Sequence, residues 1–220
     1  MGFLSSVGSA LSSVVSAACS VVRSVASTLG NAVTKIATTI TEMGVSLATK
    51  VGETIKAVGI NLGIIMPSDD LQQLGEKAMM SEKTPADFES ISAYIDHLRN
   101  DVDIDREKFS RLDEKELLAR SAIGSAITLQ GINEKLETVV CPQFMAMVAT
   151  QNLTANEIVA TIKTYKEKSL STSDYSLYLK DELSIAQSRE HSNALVEAYQ
   201  QLEPELSIEQ IEDKVMGLRP

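Results

Sequence analysis

Residues 7–17 read VGSALSSVVSA, and the same spacing of apolar side chains returns in 18–28 ACSVVRSVAST, 29–39 LGNAVTKIATT, 40–50 ITEMGVSLATK and 51–61 VGETIKAVGIN, before LGIIM at 62–66. Apolar or small residues recur at the first, fourth, fifth, eighth and ninth places of the registers, as in Val7, Ala10, Leu11, Val14 and Val15, with Thr54 an exception in the last. Eleven residues in three turns is about 3.67 per turn, so the apolar stripe runs almost straight along one face of an α-helix, and the alternation of a strand is excluded. No proline precedes Pro67. The pattern therefore predicts one amphipathic helix of about 60 residues and about 90 Å.

The face opposite the stripe carries mostly Ser and Thr with few charges. Ser, Thr, Val and Gly are mediocre helix formers, so the segment has little helical stability of its own. Burying about twenty apolar side chains at about 1 kcal/mol each gives on the order of 20 kcal/mol, which the cost of ordering the backbone matches or exceeds. Such a segment is marginal in water and folds against something apolar. Three surfaces can serve: a lipid bilayer, copies of the same helix, or the remainder of the chain. A stripe of this kind is also the ordinary mark of a helix facing its own core. The weakly charged polar face is that of a helix whose lipid binding rests on apolar burial more than on charge.

On the membrane reading, the lipid-facing set is Val7, Leu11, Val14, Val21, Val25, Leu29, Ile36, Ile40, Leu47, Val51, Ile55, Val58, Leu62 and Ile65. Gly44 occupies a stripe position and Val45 follows out of phase, so Gly44 is the expected hinge. Bending there converts the long helix into a hairpin whose arms, of about 40 and about 22 residues, can each span roughly 30 Å of hydrocarbon. Gly59 and Gly63 form a small-xxx-small spacing that permits close helix–helix approach. In an oligomer with stripes toward lipid, the Ser and Thr faces line a hydrated lumen that sets no strong charge filter. Surface binding without a pore fits the same pattern.

The 220 residues carry a formal net charge of −10, unevenly distributed. Residues 1–66 hold Arg23, Lys35, Lys50 and Lys56 against Glu42 and Glu53, a net of +2, which leaves −12 for residues 67–220. An acidic surface without a basic cluster argues against nucleic acid as a partner. The first basic side chain is Arg23, and Ser interrupts every apolar run before it, so no cleavable secretory signal is read. The longest nearly apolar run, residues 57–66, is too short to cross a bilayer, which takes about 20 residues. Cys19 and Cys141 imply no disulfide framework and read as small packing residues.

From Pro67 the repeat stops and helix-start signals appear at ordinary intervals. Thr84-Pro85-Ala86-Asp87 offers an N-cap, a proline in the first turn and an acidic third residue, and Asp113–Glu116, Thr154–Glu157, Ser171–Asp174 and Ser207–Gln210 repeat the capping logic. These signals predict helices at 69–80, 85–100, 113–137, 142–151, 155–168, 172–202 with a break, and 207–217. In 113–137 the apolar stripe Leu118, Ala122, Leu129, Ile132 and Leu136 marks a central core helix. The chain is accordingly expected to be all-α: a long N-terminal amphipathic helix or helical hairpin at 1–66, then an acidic multi-helix bundle at 67–220.

His97 and His191 stand alone, without HExxH or paired-cysteine spacing, and no GxSxG, phosphate loop or CxxC occurs. The run Asp101-Val102-Asp103-Ile104-Asp105 lacks the Gly and terminal Glu of a calcium loop. Neither an enzyme nor a cofactor or metal site is predicted.

A Ser, Ala, Val and Gly-rich amphipathic N-terminal stretch ahead of an acidic helical region resembles the small bacterial pore-forming effectors delivered by type VI secretion. That resemblance implies residence in the producer's cytoplasm, export without a cleavable signal, insertion into a rival's membrane as a homo-oligomer, and an immunity or chaperone protein as partner. The repeat also resembles that of perilipins and synucleins, which implies lipid coating without perforation. A third expectation is a structural protein assembled through the stripes of several chains.

Overall fold

The computed structural model describes the backbone of residues 3–219 and the side chains of residues 12–219. The described residues contain helices and no strand. In chain order the helices are α1 (Phe3–Ser24), α2 (Ala26–Glu42), α3 (Val45–Asn61), α4 (Leu71–Met80), α5 (Ile91–Asp101), α6 (Arg106–Phe109), α7 (Glu114–Leu136), α8 (Pro142–Thr150), α9 (Ala155–Glu167), α10 (Tyr175–Leu179), α11 (Ile185–Leu202) and α12 (Ile208–Met216), with 3-10 turns at Pro85–Asp87 and Thr172–Asp174. The chain divides into two compact units, residues 1–135 and 136–220. The compositional boundary expected at 66/67 lies inside the first unit.

The all-helical expectation holds, but the single 60-residue helix does not form. The helical geometry is broken at Val25 (φ −108°, ψ 14°), at Gly30 (φ 76°, ψ 161°) within α2 and again at Gly44 (φ 83°, ψ 161°). α1 packs on α2 and α2 on α3, and Arg23 near the end of α1 reaches Glu42 at the end of α2 across 3.7 Å. The physical reason is that three short helices can turn their stripes toward a common core, which an extended rod in water cannot do. Both glycines sit at positive φ, which glycine adopts without a steric penalty. An added Cβ at either position meets nothing within 4 Å, so the cost of a side chain there is purely conformational. Gly30→Ala and Gly44→Ala are each expected to lower stability by about 1–2 kcal/mol, measured as a lowered urea midpoint at unchanged slope.

α7 is the axis of the first unit. From Leu118 to Leu129 every residue but Ser121 is buried, so this helix is covered on all sides rather than along one stripe. The predicted Leu118, Ala122, Leu129, Ile132 and Leu136 are all in the core. α3 lies beside α7 in the same direction: Gly52 faces Ser121 and Ser125, and Gly59 faces Thr128, whose methyl would stand 2.7 Å from a Cβ at Gly59. α4 runs the opposite way, setting Gly75 on the backbone of Arg120 and the backbone of Leu71 on Gly124. Small residues on both partners let these backbones approach closely.

Most of the predicted starts in the acidic region are present. Thr154 and Glu157 form a reciprocal box, with bonds of 2.8 and 3.3 Å, and Ser207 and Gln210 form another, with bonds of 2.9 and 3.3 Å. Asp113 and Glu116 exchange two backbone bonds of 3.1 Å ahead of α7. The helix expected at 85–100 is corrected: Pro85–Asp87 is a 3-10 turn, and α5 starts afresh at Ser90, whose hydroxyl accepts from the Ala93 N–H at 3.1 Å. The break lets Phe88 pack 5.4 Å from the Tyr94 ring and 5.1 Å from His97. In the second unit α8–α12 enclose Phe144, Tyr165, Tyr175, Tyr178 and Tyr199, all at most 1 % exposed.

Candidate functional site

The N-terminal stripe is the candidate element. Leu29, Ile40, Val51, Ile55, Val58 and Ile65 are buried in the first unit, while Val14, Val21, Val25, Ile36, Leu47 and Leu62 are half-buried. Val7 and Leu11 lie outside the residues whose side chains are described. The stripe thus faces the interior of its own unit. Of the glycines singled out for helix packing, Gly59 is a close-contact position against α7. Gly63 instead ends α3 in left-handed backbone (φ 70°). Gly44, the expected hinge, stands between α2 and α3 at φ 83°, ψ 161°.

The outer face has a property that residue type alone does not reveal. Thr34, Thr39, Thr49 and Thr54 donate their hydroxyls to the carbonyls of Gly30, Lys35, Val45 and Lys50 four residues back, at 2.8–3.0 Å. Ser20 and the buried Thr41 do the same to Ser16 and Ala37, and Ser24 bonds the carbonyl of Val21 at 2.7 Å. Each of these hydroxyls has its donor satisfied by its own helix, so it depends on neither water nor a neighbour for that bond.

Two ion pairs brace the helices around α7. Arg120, which bonds the Glu116 carbonyl on its own helix at 3.1 Å, pairs with Glu76 of α4; the side chains are 10 % and 14 % exposed. Arg99 of α5 holds Asp69 through two bonds of 3.1 and 2.6 Å and also pairs with Asp96. Burial raises the Asp69 carboxyl, but the Arg99 bonds and charge and the Met66 N–H outweigh it, and Asp69 stays below the usual carboxylate range. These partners are 44 and 30 residues apart, so no local signal reveals them.

The remaining reactive side chains occupy structural positions. Cys19 is buried; desolvation first, and the nearby Glu42 second, push its thiol up against the opposing Arg23. His97 contacts Asp101 at 2.8 Å on α5. In the aspartate run, Asp105 caps α6 by accepting from Glu107 and Lys108 N–H groups at 3.1 Å each. Among the described residues no group of three His, Cys, Asp or Glu side chains is arranged to hold a metal ion. Among them, too, no helix is long and apolar enough to cross a membrane. Compared with protein families, with curated proteins and with solved structures, the chain matches none.

Proposed function

We propose that this protein is a membrane-inserting, pore-forming effector that carries its amphipathic helices folded inward and transfers them to a target bilayer. The observation that carries the reading is the hydroxyl face of α1–α3, whose Ser and Thr groups bond their own helix carbonyls. In hydrocarbon every polar group needs a partner within the protein, and a self-bonded hydroxyl meets that demand in advance. Charge is sparse on the same face, where Arg23 and Glu42 already offset one another.

Energetics decide when transfer occurs. Exposing Leu29, Val33, Ile40, Val51, Ile55 and Val58, each at most 2 % exposed, to water would cost on the order of 10 kcal/mol. Lipid replaces that burial, so release is favourable only at an apolar acceptor. The breaks at Gly30 and Gly44 divide the segment into helices that can swing as units. At about 1.5 Å per residue, the 22-residue α1 and the 17-residue α3 are about 33 and 25 Å long, while the part of α2 beyond Gly30 is about 18 Å. As no single helix among the described residues is long and apolar enough to span alone, the inserted form is an assembly, with stripes toward lipid and hydroxyl faces toward a lumen.

The test is leakage of a self-quenched dye from neutral and anionic vesicles. Full-length protein is expected to release it. The variant with Val21, Val25, Leu29 and Ile36 all changed to Ser is expected to lose at least tenfold in leakage rate, since each substitution removes about 1–2 kcal/mol of apolar transfer. Vesicles that neither leak nor bind full-length protein sink the reading. Binding without leakage moves the function to lipid coating.

A further inference from the structure

The second unit holds a cluster that the membrane reading does not use. Of the five tyrosines in the chain, Tyr165, Tyr175, Tyr178 and Tyr199 lie in this unit at 0 % exposure, with His191 among them at 3 %. The His191 Nδ1 is 2.8 Å from the Tyr165 hydroxyl. Its ring meets Tyr165 edge-on at 5.1 Å and stacks on Tyr178 at 5.8 Å with 17° between planes. Tyr175 closes the nest, 6.2 Å from Tyr165 and 5.2 Å from Phe144. The hydroxyls of Tyr178, Tyr199, Thr161 and Thr164 are buried without a protein hydrogen-bond partner.

This surrounding suits a neutral imidazole and not an imidazolium. The charged ring has two N–H donors and carries its charge out of water, so it needs two acceptors or a close carboxylate. α9 supplies the neutral Tyr165 phenol at 2.8 Å, and α10 supplies the ring of Tyr178. The face of Tyr178 would attract a cation, yet Arg219 already lies over that ring at 4.4 Å. Asp174, from the 3-10 turn before α10, and Glu190, on α11 itself, favour the charged form, but burial outweighs both and lowers the His191 pKa from its ordinary value. At the other end of α11 Lys214 stands 4.6 Å over Tyr199 and binds Glu157 at 3.0 Å and Glu203 at 2.8 Å.

We propose that His191 is an acid-operated latch, whose protonation opens the aromatic core of the second unit at mildly acidic pH while the helices of the first unit stay formed. A histidine held below its unfolded pKa contributes stability that is complete above about pH 6.5 and is lost as pH falls through the folded value. The first unit has no counterpart. Its one histidine, His97, is half-buried against Asp101 on its own helix, so it has no buried imidazole whose burial acid could disrupt. The latch stands independently of what the first unit does at a membrane.

The experiment follows near-ultraviolet and far-ultraviolet circular dichroism of the full-length protein from neutral pH to about pH 4. With no Trp, and four of five Tyr in one unit, the near-ultraviolet band reports mainly on the second unit. It is expected to collapse below about pH 6 while most far-ultraviolet helix signal remains. His191→Phe keeps a flat ring on Tyr178 and is expected to move the collapse down by about one pH unit or more. An unmoved midpoint in a His191→Phe protein with a native neutral spectrum overturns the latch, as does a wild type that keeps its band to about pH 4. Should His191→Phe lack that native spectrum, histidine NMR of the wild type decides: a His191 ring titrating at or above about 6.5 in the folded protein overturns it, and one titrating below supports it.

Discussion

Gly124→Ala is expected to leave residues 1–135 unable to hold their native packing. In an exposed helix the same change would stabilise by about 1 kcal/mol, because alanine is the better helix former. Here the new methyl would lie within the van der Waals envelope of the Leu71 carbonyl oxygen. That atom belongs to helical backbone and cannot swing aside as a side chain would. α4 must move away from α7, and the reciprocal contact of Gly75 on the Arg120 backbone moves with it. Overpacking a core costs about 1–3 kcal/mol where side chains can adjust. Two opposed backbones leave less room, so a loss of about 4 kcal/mol or more is expected from a total that rarely exceeds about 15 kcal/mol. Urea unfolding followed by far-ultraviolet circular dichroism measures it. Gly217→Ala is the control, since a Cβ there approaches carbonyls at 3.4 Å, an ordinary separation, and its midpoint should be unchanged or higher. Equal behaviour of the two variants would show that the α4–α7 crossing is looser than described.

Glu76→Leu is expected to cost about 3–5 kcal/mol, because it leaves the Arg120 guanidinium buried without its carboxylate. Arg120 is also held by the Glu116 carbonyl, which accepts a hydrogen bond but does not neutralise charge. Arg120→Leu should cost a similar amount by stranding Glu76. The double variant should recover most of either loss, since two well-packed leucines remove both the desolvation cost and the attraction. Urea midpoints for the two singles and the double complete the cycle. A coupling below about 0.5 kcal/mol would mean that water screens the pair despite its burial.

The local parts of this fold are readable in the chain because their causes are local. Thr154 to Glu157 and Ser207 to Gln210 announce helix starts through bonds that span three residues, and each box appears where the spacing places it. α7 is marked by its own apolar spacing. The error at 85–100 has an equally local origin: Thr84, Pro85 and Asp87 form a genuine capping box, but the turn it begins ends when Phe88 leaves the helix to pack on Tyr94 and His97. The Arg120–Glu76 pair, the Gly75–Gly124 crossing and the His191 nest join residues from different helices, so only chain topology brings them together.

The eleven-residue repeat shows the division most clearly. Its period determines which side chains share a helical face, and that is a property of the polypeptide backbone which any surroundings must respect. The helical state of residues 7–66, the apolar stripe and the hydroxyl face follow from it. The period says nothing about what the stripe faces, because burial is non-directional and a core, a bilayer or another copy satisfies it alike. Only the tertiary structure decided that the segment breaks at Gly30 and Gly44 and turns Leu29, Ile40, Val51, Ile55 and Val58 into the first unit. In water the nearest apolar surface is the one carried on the same chain.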